Sequence, residues 1–380
     1  MVLRFKFPDQ WSCKCGREHS VPIRKVVVEE RSLLRLDQIV DELGLGKKCL
    51  IVEDFVTKEI AGDQIKKILE NANYYVGYAI VERADMESVR EVKDSLRGFD
   101  FSIAVGGGTP IDVAKMATHQ NHNQFISIPT ALSHDGIASP IASIIQNRTK
   151  ASLLAHPPIA VIADPEMLVR APNRMIAAGY GDVLSKATSV KDWELGRDEK
   201  NEYYCERAAA LAFQSMEDII GATRGGRSKQ EVKNLLEALL NCGVSMILAN
   251  SSRPCSGSEH LFSHFLDANA KKPAMHGEQC GLGAILMAKY HEEHNPNWWK
   301  DPKIQWQSIK RTLRRVEPEL SVESTDIGEE ISVRAIVEAA RLRPERYTIL
   351  HKKPPSKSDA ESLLESTSIA HQGAASQVDT

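Results

Sequence analysis

The stretch Phe101-Ser102-Ile103-Ala104-Val105-Gly106-Gly107-Gly108-Thr109-Pro110-Ile111-Asp112-Val113-Ala114-Lys115 reads as a strand, a tight turn and the start of a helix. A short apolar run ends in three consecutive glycines, and a helical pattern with Pro110 near its start follows. Glycines let a backbone approach a ligand closely. The unpaired N–H groups and positive dipole end of the helix favour an anion such as pyrophosphate. The spacing is not G-x-G-x-x-G and there is no Gly-Lys-Ser/Thr P-loop, so taken alone the segment is also compatible with a bare glycine turn. Downstream, Phe125 to Thr130 reads as another buried strand. It leads into Ala131 to Pro140, a loop whose small and hydroxyl residues suggest a ligand-facing surface.

Working outward, apolar β-rich runs at Lys25 to Val28, Lys48 to Val52, Tyr78 to Val81, Phe101 to Val105, Phe125 to Ile128 and Ile159 to Ala163 alternate with helical patterns. That alternation implies a parallel sheet covered by helices. After Asp164-Pro165 the strands stop, and from about Pro172 the pattern is helical, punctuated by Pro254, Pro273, Pro296 and Pro302. The expected fold is an α/β, Rossmann-like nucleotide-binding domain over residues 1–168 and an all-α, metal-binding catalytic domain over residues 169–380. The catalytic cleft lies between them.

The second half carries Ser256-Gly257-Ser258-Glu259-His260-Leu261-Phe262-Ser263-His264, then Met275-His276-Gly277-Glu278-Gln279. Ser256 with Glu259 matches a capping box, which would start a helix there. His260 and His264 then share one face, able to hold a metal ion or to serve a metal and its substrate together, although a histidine pair at this spacing also decorates solvated faces. Spacing alone pairs His260 and His264 on the metal and leaves His276 outside. Asp182 sits among apolar residues in Ala178 to Lys186, where a buried carboxylate needs a counter-charge or a metal.

Together, Gly106 to Lys115, Pro129 to Ser139, Gly179 to Lys186, Ser256 to His264 and His276 to Gln279 make residues 22–365 resemble the sn-glycerol-1-phosphate dehydrogenase family, grouped with glycerol dehydrogenases and dehydroquinate synthases. The resemblance implies a dehydroquinate synthase-like fold and a metal-dependent, NAD(H)- or NADP(H)-linked reduction of dihydroxyacetone phosphate to sn-glycerol 1-phosphate, for archaeal ether phospholipid synthesis. It makes Asp182, His260 and His276 the metal ligands, and Asp135, Asp182 and His264 substrate contacts, with Asp182, His260, His264 and His276 as the catalytic set. Gly106, Gly107, Gly108, Thr109, Pro110, Asp112, Thr130, Ser133 and Ser139 match cofactor positions. It also implies a homo-oligomer. Two histidines and a carboxylate with one open position form a catalytic rather than a structural zinc arrangement, and nickel or iron suits the same donors. Glycerol or polyol dehydrogenases on unphosphorylated substrates, sugar-phosphate cyclases and a non-catalytic scaffold are the alternatives.

Bulk composition is ordinary. The 380 residues are 42% hydrophobic with a net charge of −3, enough for one or two cores and with nothing to attract nucleic acid. No apolar run of about 18 residues suggests a membrane span, and Met1 to Lys6 lacks a signal-peptide pattern. Seven scattered cysteines argue for a reducing compartment, so a cytoplasmic location is expected. Cys13, Cys15 and His19 are three metal-ligand types, one short of a closed site, and read as a surface hairpin with free thiols unless a partner subunit adds a fourth. Glu53 or Asp54 could hold the adenosine ribose and exclude the extra phosphate of NADP, or simply cap the next helix. For the substrate phosphate, Arg253, Lys271 and Lys272 lie near the metal motif in sequence. The run Arg341 to Tyr347 reads more readily as a solvated face. Asp359 to Ser366 reads as a short helix, and the last ten or so residues as a polar tail.

Overall fold

The computed structural model describes residues 10–146 and 149–369; Met1 to Lys6 and the expected polar tail lie outside them. Two antiparallel hairpins accompany a central sheet. One pairs β1 (Trp11–Ser12) with β2 (Glu18–His19), and the other pairs β8 (Ile141–Gln146) with β9 (Thr149–Leu154). The sheet is made of β3 (Lys25–Val28), β4 (Lys48–Glu53), β5 (Tyr75–Ile80), β6 (Phe101–Gly106), β7 (Gln124–Pro129) and β10 (Ala160–Ala163). Its order is β3-β10-β7-β6-β4-β5, and every pairing is parallel. All six expected strands are present. The edge strand β5 begins earlier than expected, at Tyr75, because it pairs with β4 from Lys48 onward.

The interior strands read as continuous apolar runs because both faces of a parallel sheet are covered. Alternate residues feed two cores. Val27, Ile51, Ile103, Val105, Ile126 and Ile162 pack under α1 (Leu36–Leu43) and α3 (Asp63–Asn71), which follow β3 and the one-turn α2 (Phe55–Thr57). Val26, Leu50, Val52, Ala104, Phe125 and Val161 face the other way, against α4 (Met86–Ser95) and α5 (Gly108–Asn121). This second core continues without a break into Tyr180, Val183, Leu236 and Leu282 of the helical half.

From Pro165 onward the described chain is helical: α6 (Pro165–Leu168), α7 (Asn173–Leu184), α8 (Lys186–Lys200), α9 (Glu206–Ala222), α10 (Lys229–Ala249), α11 (Ser258–Asn269), α12 (His276–His294), α13 (Trp306–Val316), α14 (Glu329–Glu338), α15 (Ile349–Lys352) and α16 (Lys357–Thr367). One sequence expectation needs correcting here. The helix α10 is long and apolar enough to cross a membrane, but 72% of its apolar window is buried in the helical core. Its composition therefore reflects packing on several sides.

The chain leaves β4 for the edge strand β5 but leaves β6 in the opposite direction, for β7. Ligands of open α/β sheets bind where strand order reverses in this way, beyond the carboxyl ends of the strands. Within the helical half, α7 and α12 are in tight contact. A Cβ on Gly277 would lie 1.9 Å from Ala178 O, so only glycine allows the two helices to approach this closely. Because Asp182 and His276 ride on these helices, we expect Gly277→Ala to lower stability by roughly 1–3 kcal/mol in urea unfolding and to weaken divalent-metal binding. An unchanged unfolding midpoint would show that the helices part freely.

Candidate active site and metal centre

The turn after β6 is built around Gly106, whose φ of +154° is rarely adopted by residues with side chains and where a Cβ would meet Pro110 Cγ at 2.6 Å. Gly107 is the N-cap of α5, and no side chain caps this helix. Its first amides are therefore available to an anion. Two cavities meet there. The larger, of 840 Å3, is lined by Gly107, Gly108, Thr109, Pro110 and Thr130 together with Asp54 and Arg31. The smaller, of 330 Å3, is lined by Gly108, Thr109, Asp112, Ser133, Asp135 and Ser139 on one side and by His260, His276 and Lys150 on the other. Asp112 is partly committed to the fold, accepting from Ser143 N (3.1 Å) and Lys115 Nζ (3.2 Å). Of the two acids ending β4, Glu53 turns inward onto Gly62, and burial pushes it up to about 7. Asp54 lines the larger cavity while its Oδ1 caps α2 by accepting from Thr57 N (2.7 Å).

The expected capping box at Ser256 does not form. The helix α11 begins at Ser258 with Gly257 as N-cap, because the buried Asp192 of α8 accepts from Ser258 N (2.7 Å). Glu259 serves a different purpose. Its Oε1 accepts from Gly257 N (2.7 Å) and from His260 Nδ1 (2.8 Å), and its Oε2 accepts from Thr188 Oγ1 (2.6 Å). His260 thus keeps its proton on Nδ1 and leaves the Nε2 lone pair free, with Nε2 3.8 Å from Asp182 Oδ1. His276 is arranged alike. The Ser263 hydroxyl donates to Gln279 Oε1 (2.6 Å), so its oxygen is left to accept from His276 Nδ1 (3.2 Å). Burial, with His260 and Lys150 nearby, pushes His276 well below the usual imidazole range and keeps it neutral.

Asp182 is fully buried. Burial opposes its charge, but the Lys186 ammonium and His260 hold it below the usual carboxylate range. Lys186 Nζ lies 2.7 Å from Asp182 Oδ1 and 3.0 Å from Asp135 Oδ2, and these two carboxylates overcome burial to raise it well above the usual lysine range. Asp135 N donates to Asp182 Oδ2 (2.7 Å).

Ligand atoms of Asp182, His260, His276 and Cys280 all lie within 4.8 Å of one another. An ionised carboxylate beside two imidazoles, each with Nδ1 already engaged, is a donor set that suits a divalent cation. His264 stands behind His276, ring centroids 6.4 Å apart, and both its ring nitrogens are sealed from solvent without a hydrogen-bond partner. Burial, then Arg343 and His260, keeps it neutral. The pairing of His260 with His264 that spacing suggests is therefore replaced by a cluster of His260 with His276, since α7 and α12 bring the remaining donors to α11.

Several residues of this site were not read from the sequence. Lys186 lies four residues after Asp182, and Cys280 four after His276, spacings that could have flagged both. Lys150 and His134 carried no local signal. The basic residues singled out by sequence nearness are elsewhere. Arg253 is held by Glu202 (2.7 and 2.6 Å), and Lys272 is exposed and paired with Asp326. The run expected as a solvated face instead contributes Arg346, which donates to Ser256 O (2.7 Å) and Ser252 Oγ (2.9 Å) on the wall of the smaller cavity.

A family model described as iron-containing alcohol dehydrogenase matches residues 27–172. A glycerol-1-phosphate dehydrogenase, NAD(P)+, of Thermococcus sibiricus is 41% identical over 350 residues, covering 91% of this chain and 97% of that one. One from Methanosarcina acetivorans is 40% identical over 331 residues, covering 86% and 90%. Among solved structures, a probable glycerol dehydrogenase from Sinorhizobium meliloti shares the fold with a TM-score of 0.71 at 20% identity, covering 91% of this chain and 98% of that one. An iron-containing alcohol dehydrogenase shares it with a TM-score of 0.67 at 15% identity, covering 92% and 98%. Near-complete coverage at this level of identity leads to one conclusion: the chain belongs to the glycerol-1-phosphate dehydrogenase family, a group of NAD(P)-dependent oxidoreductases.

Proposed function

We propose that this chain reduces dihydroxyacetone phosphate to sn-glycerol 1-phosphate with NADH or NADPH, supplying the glycerol backbone of archaeal ether phospholipids. The observation that carries this reading is the meeting of the two cavities at Gly108 and Thr109. A dinucleotide lying in the larger cavity, with its pyrophosphate at the amino end of α5, reaches the smaller one, where His260 and His276 form part of the wall. Within this reading Gly106 to Pro110, Asp112, Thr130, Ser133 and Ser139 hold the cofactor, and Asp182, His260 and His276 hold one zinc ion, or nickel or iron, per subunit. When bound, the dihydronicotinamide supplies hydride and the cation supplies a Lewis acid at the carbonyl oxygen.

The chain's own groups do the rest. Lys186 keeps Asp182 ionised, while Glu259 and Ser263 fix the tautomers of the two ligating rings. Asp135, on the wall of the smaller cavity, orients the substrate, and the family resemblance adds His264, whose two buried nitrogens are uncommitted. Lys150, with Ser152 and Ser252 beside it and Arg346 behind, receives the phosphate. Arg31 and Asp54 share the wall of the larger cavity, a cation and an anion that fit acceptance of either cofactor. Seven free cysteines support a cytoplasmic setting, and a homo-oligomer follows from family resemblance.

The test is oxidation of NADH and NADPH with dihydroxyacetone phosphate or dihydroxyacetone, each with a chelated control. We expect a strong preference for the phosphorylated ketone that vanishes on chelation; equal use of both ketones would make this a glycerol dehydrogenase. Lys150→Ala should raise KM for dihydroxyacetone phosphate by about 10- to 100-fold, the loss of one charge-assisted contact, and leave KM for dihydroxyacetone unchanged. His264→Ala should lower turnover by about a hundredfold while stoichiometric metal stays bound, and loss of the metal would instead make His264 a ligand.

A further inference from the structure

Away from the active site, the β1–β2 hairpin brings a second set of metal-ligand side chains together. Cys13 and Cys15 occupy its tip, His19 lies in β2 opposite Trp11, and Cys205 is the N-cap residue of α9. Ligand atoms of all four lie within 4.8 Å of one another. His19 Nε2 is 3.2 Å from Cys15 Sγ and 3.6 Å from Cys205 Sγ. Four ligands around tetrahedral zinc, with Zn–S near 2.3 Å and Zn–N near 2.0 Å, are separated by about 3.5–3.8 Å. The two distances from His19 lie close to that range, and the whole set falls within 4.8 Å.

Backbone amides point at two of the sulfurs. The Ala208 amide in the first turn of α9 donates to Cys205 Sγ, and the Arg17 amide donates to Cys15 Sγ. Tyr203 OH is 3.2 Å from Cys15 Sγ, and the Arg17 guanidinium stacks on the Tyr203 ring at 3.4 Å. The turn that presents the two cysteines is closed by Gly16 N donating to Cys13 O (3.0 Å) and by Gly16 at φ +84°. His19 and Cys205 are buried, whereas Cys13 and Cys15 are partly exposed and leave a path for entry. Two-residue strands do not hold a hairpin by themselves.

We infer that Cys13, Cys15, His19 and Cys205 bind a structural zinc ion that fastens the amino-terminal hairpin to the start of α9. The three ligands near the start of the chain are one short of a closed site, and Cys205 completes it within the same subunit. This inference is independent of the reductase reading, because its readout is a metal count.

The experiment is zinc per chain, measured by mass spectrometry on full-length protein, wild type and variants, after zinc loading and dialysis. Cys15→Ser and Cys205→Ser should each contain one zinc fewer than wild type, whereas His276→Ala should lose only the other ion. Retention of the wild-type count in both cysteine variants would overturn the site. If Cys205→Ser fails to fold, alkylation of Cys13 and Cys15 in the His276→Ala chain decides: zinc should protect both thiols at least tenfold. Equal labelling with and without zinc, or recovery of a Cys13–Cys15 disulfide from native protein, would refute it.

Discussion

The ammonium of Lys186, enclosed between Asp182 and Asp135, is the contact on which the rest of this molecule turns. A buried charge survives only when paired, and removing one partner of such a pair typically costs about 3–5 kcal/mol. Here the pairing also crosses the structure. Asp135 belongs to the loop after β7 in the sheet half, whereas Asp182 and Lys186 flank the junction of α7 and α8 in the helical half. Two carboxylates share one ammonium beside two imidazole rings. That is the electrostatic condition a divalent cation satisfies, so the interaction that joins the halves also shapes the proposed metal centre.

Two helix starts show how one physical feature is put to opposite uses. The amino end of α5 has no side-chain cap and opens onto both cavities. The amino end of α11 is closed by Asp192, which also accepts from His291 Nε2 (3.2 Å) and Ile349 N (2.6 Å). The first is left for a ligand's negative charge. The second receives the protein's own, and this fixes where His260 and Glu259 project.

How much of this was legible in the sequence depends on how far apart the cooperating residues lie. The interior strands could be read because burial on both faces makes each a run such as Ile103 to Val105 that needs no tertiary knowledge, whereas the start of the partly exposed edge strand β5 could not. The β8–β9 hairpin could not, since its burial alternates and it follows the loop without a continuous apolar run. Asp182 was suspect as a carboxylate among apolar neighbours, but its union with His260 and His276 came from motif resemblance, because local spacing favoured His264. The Ser256 cap failed because Asp192, 66 positions before Ser258, takes the amide at that helix start. Lys150 and Arg346 were hidden for the same reason, each being brought to the cavity by a fold that nearness in sequence does not describe.

The β1–β2 hairpin leaves its mark on how the chain is made. His19 meets Cys205 across 186 residues. At about 5–20 residues per second, a ribosome takes on the order of ten to forty seconds to bridge that interval. For that time the hairpin's thiols and its Trp11 face have no α9 to rest on, so the hairpin stays unfastened until α9 has been made.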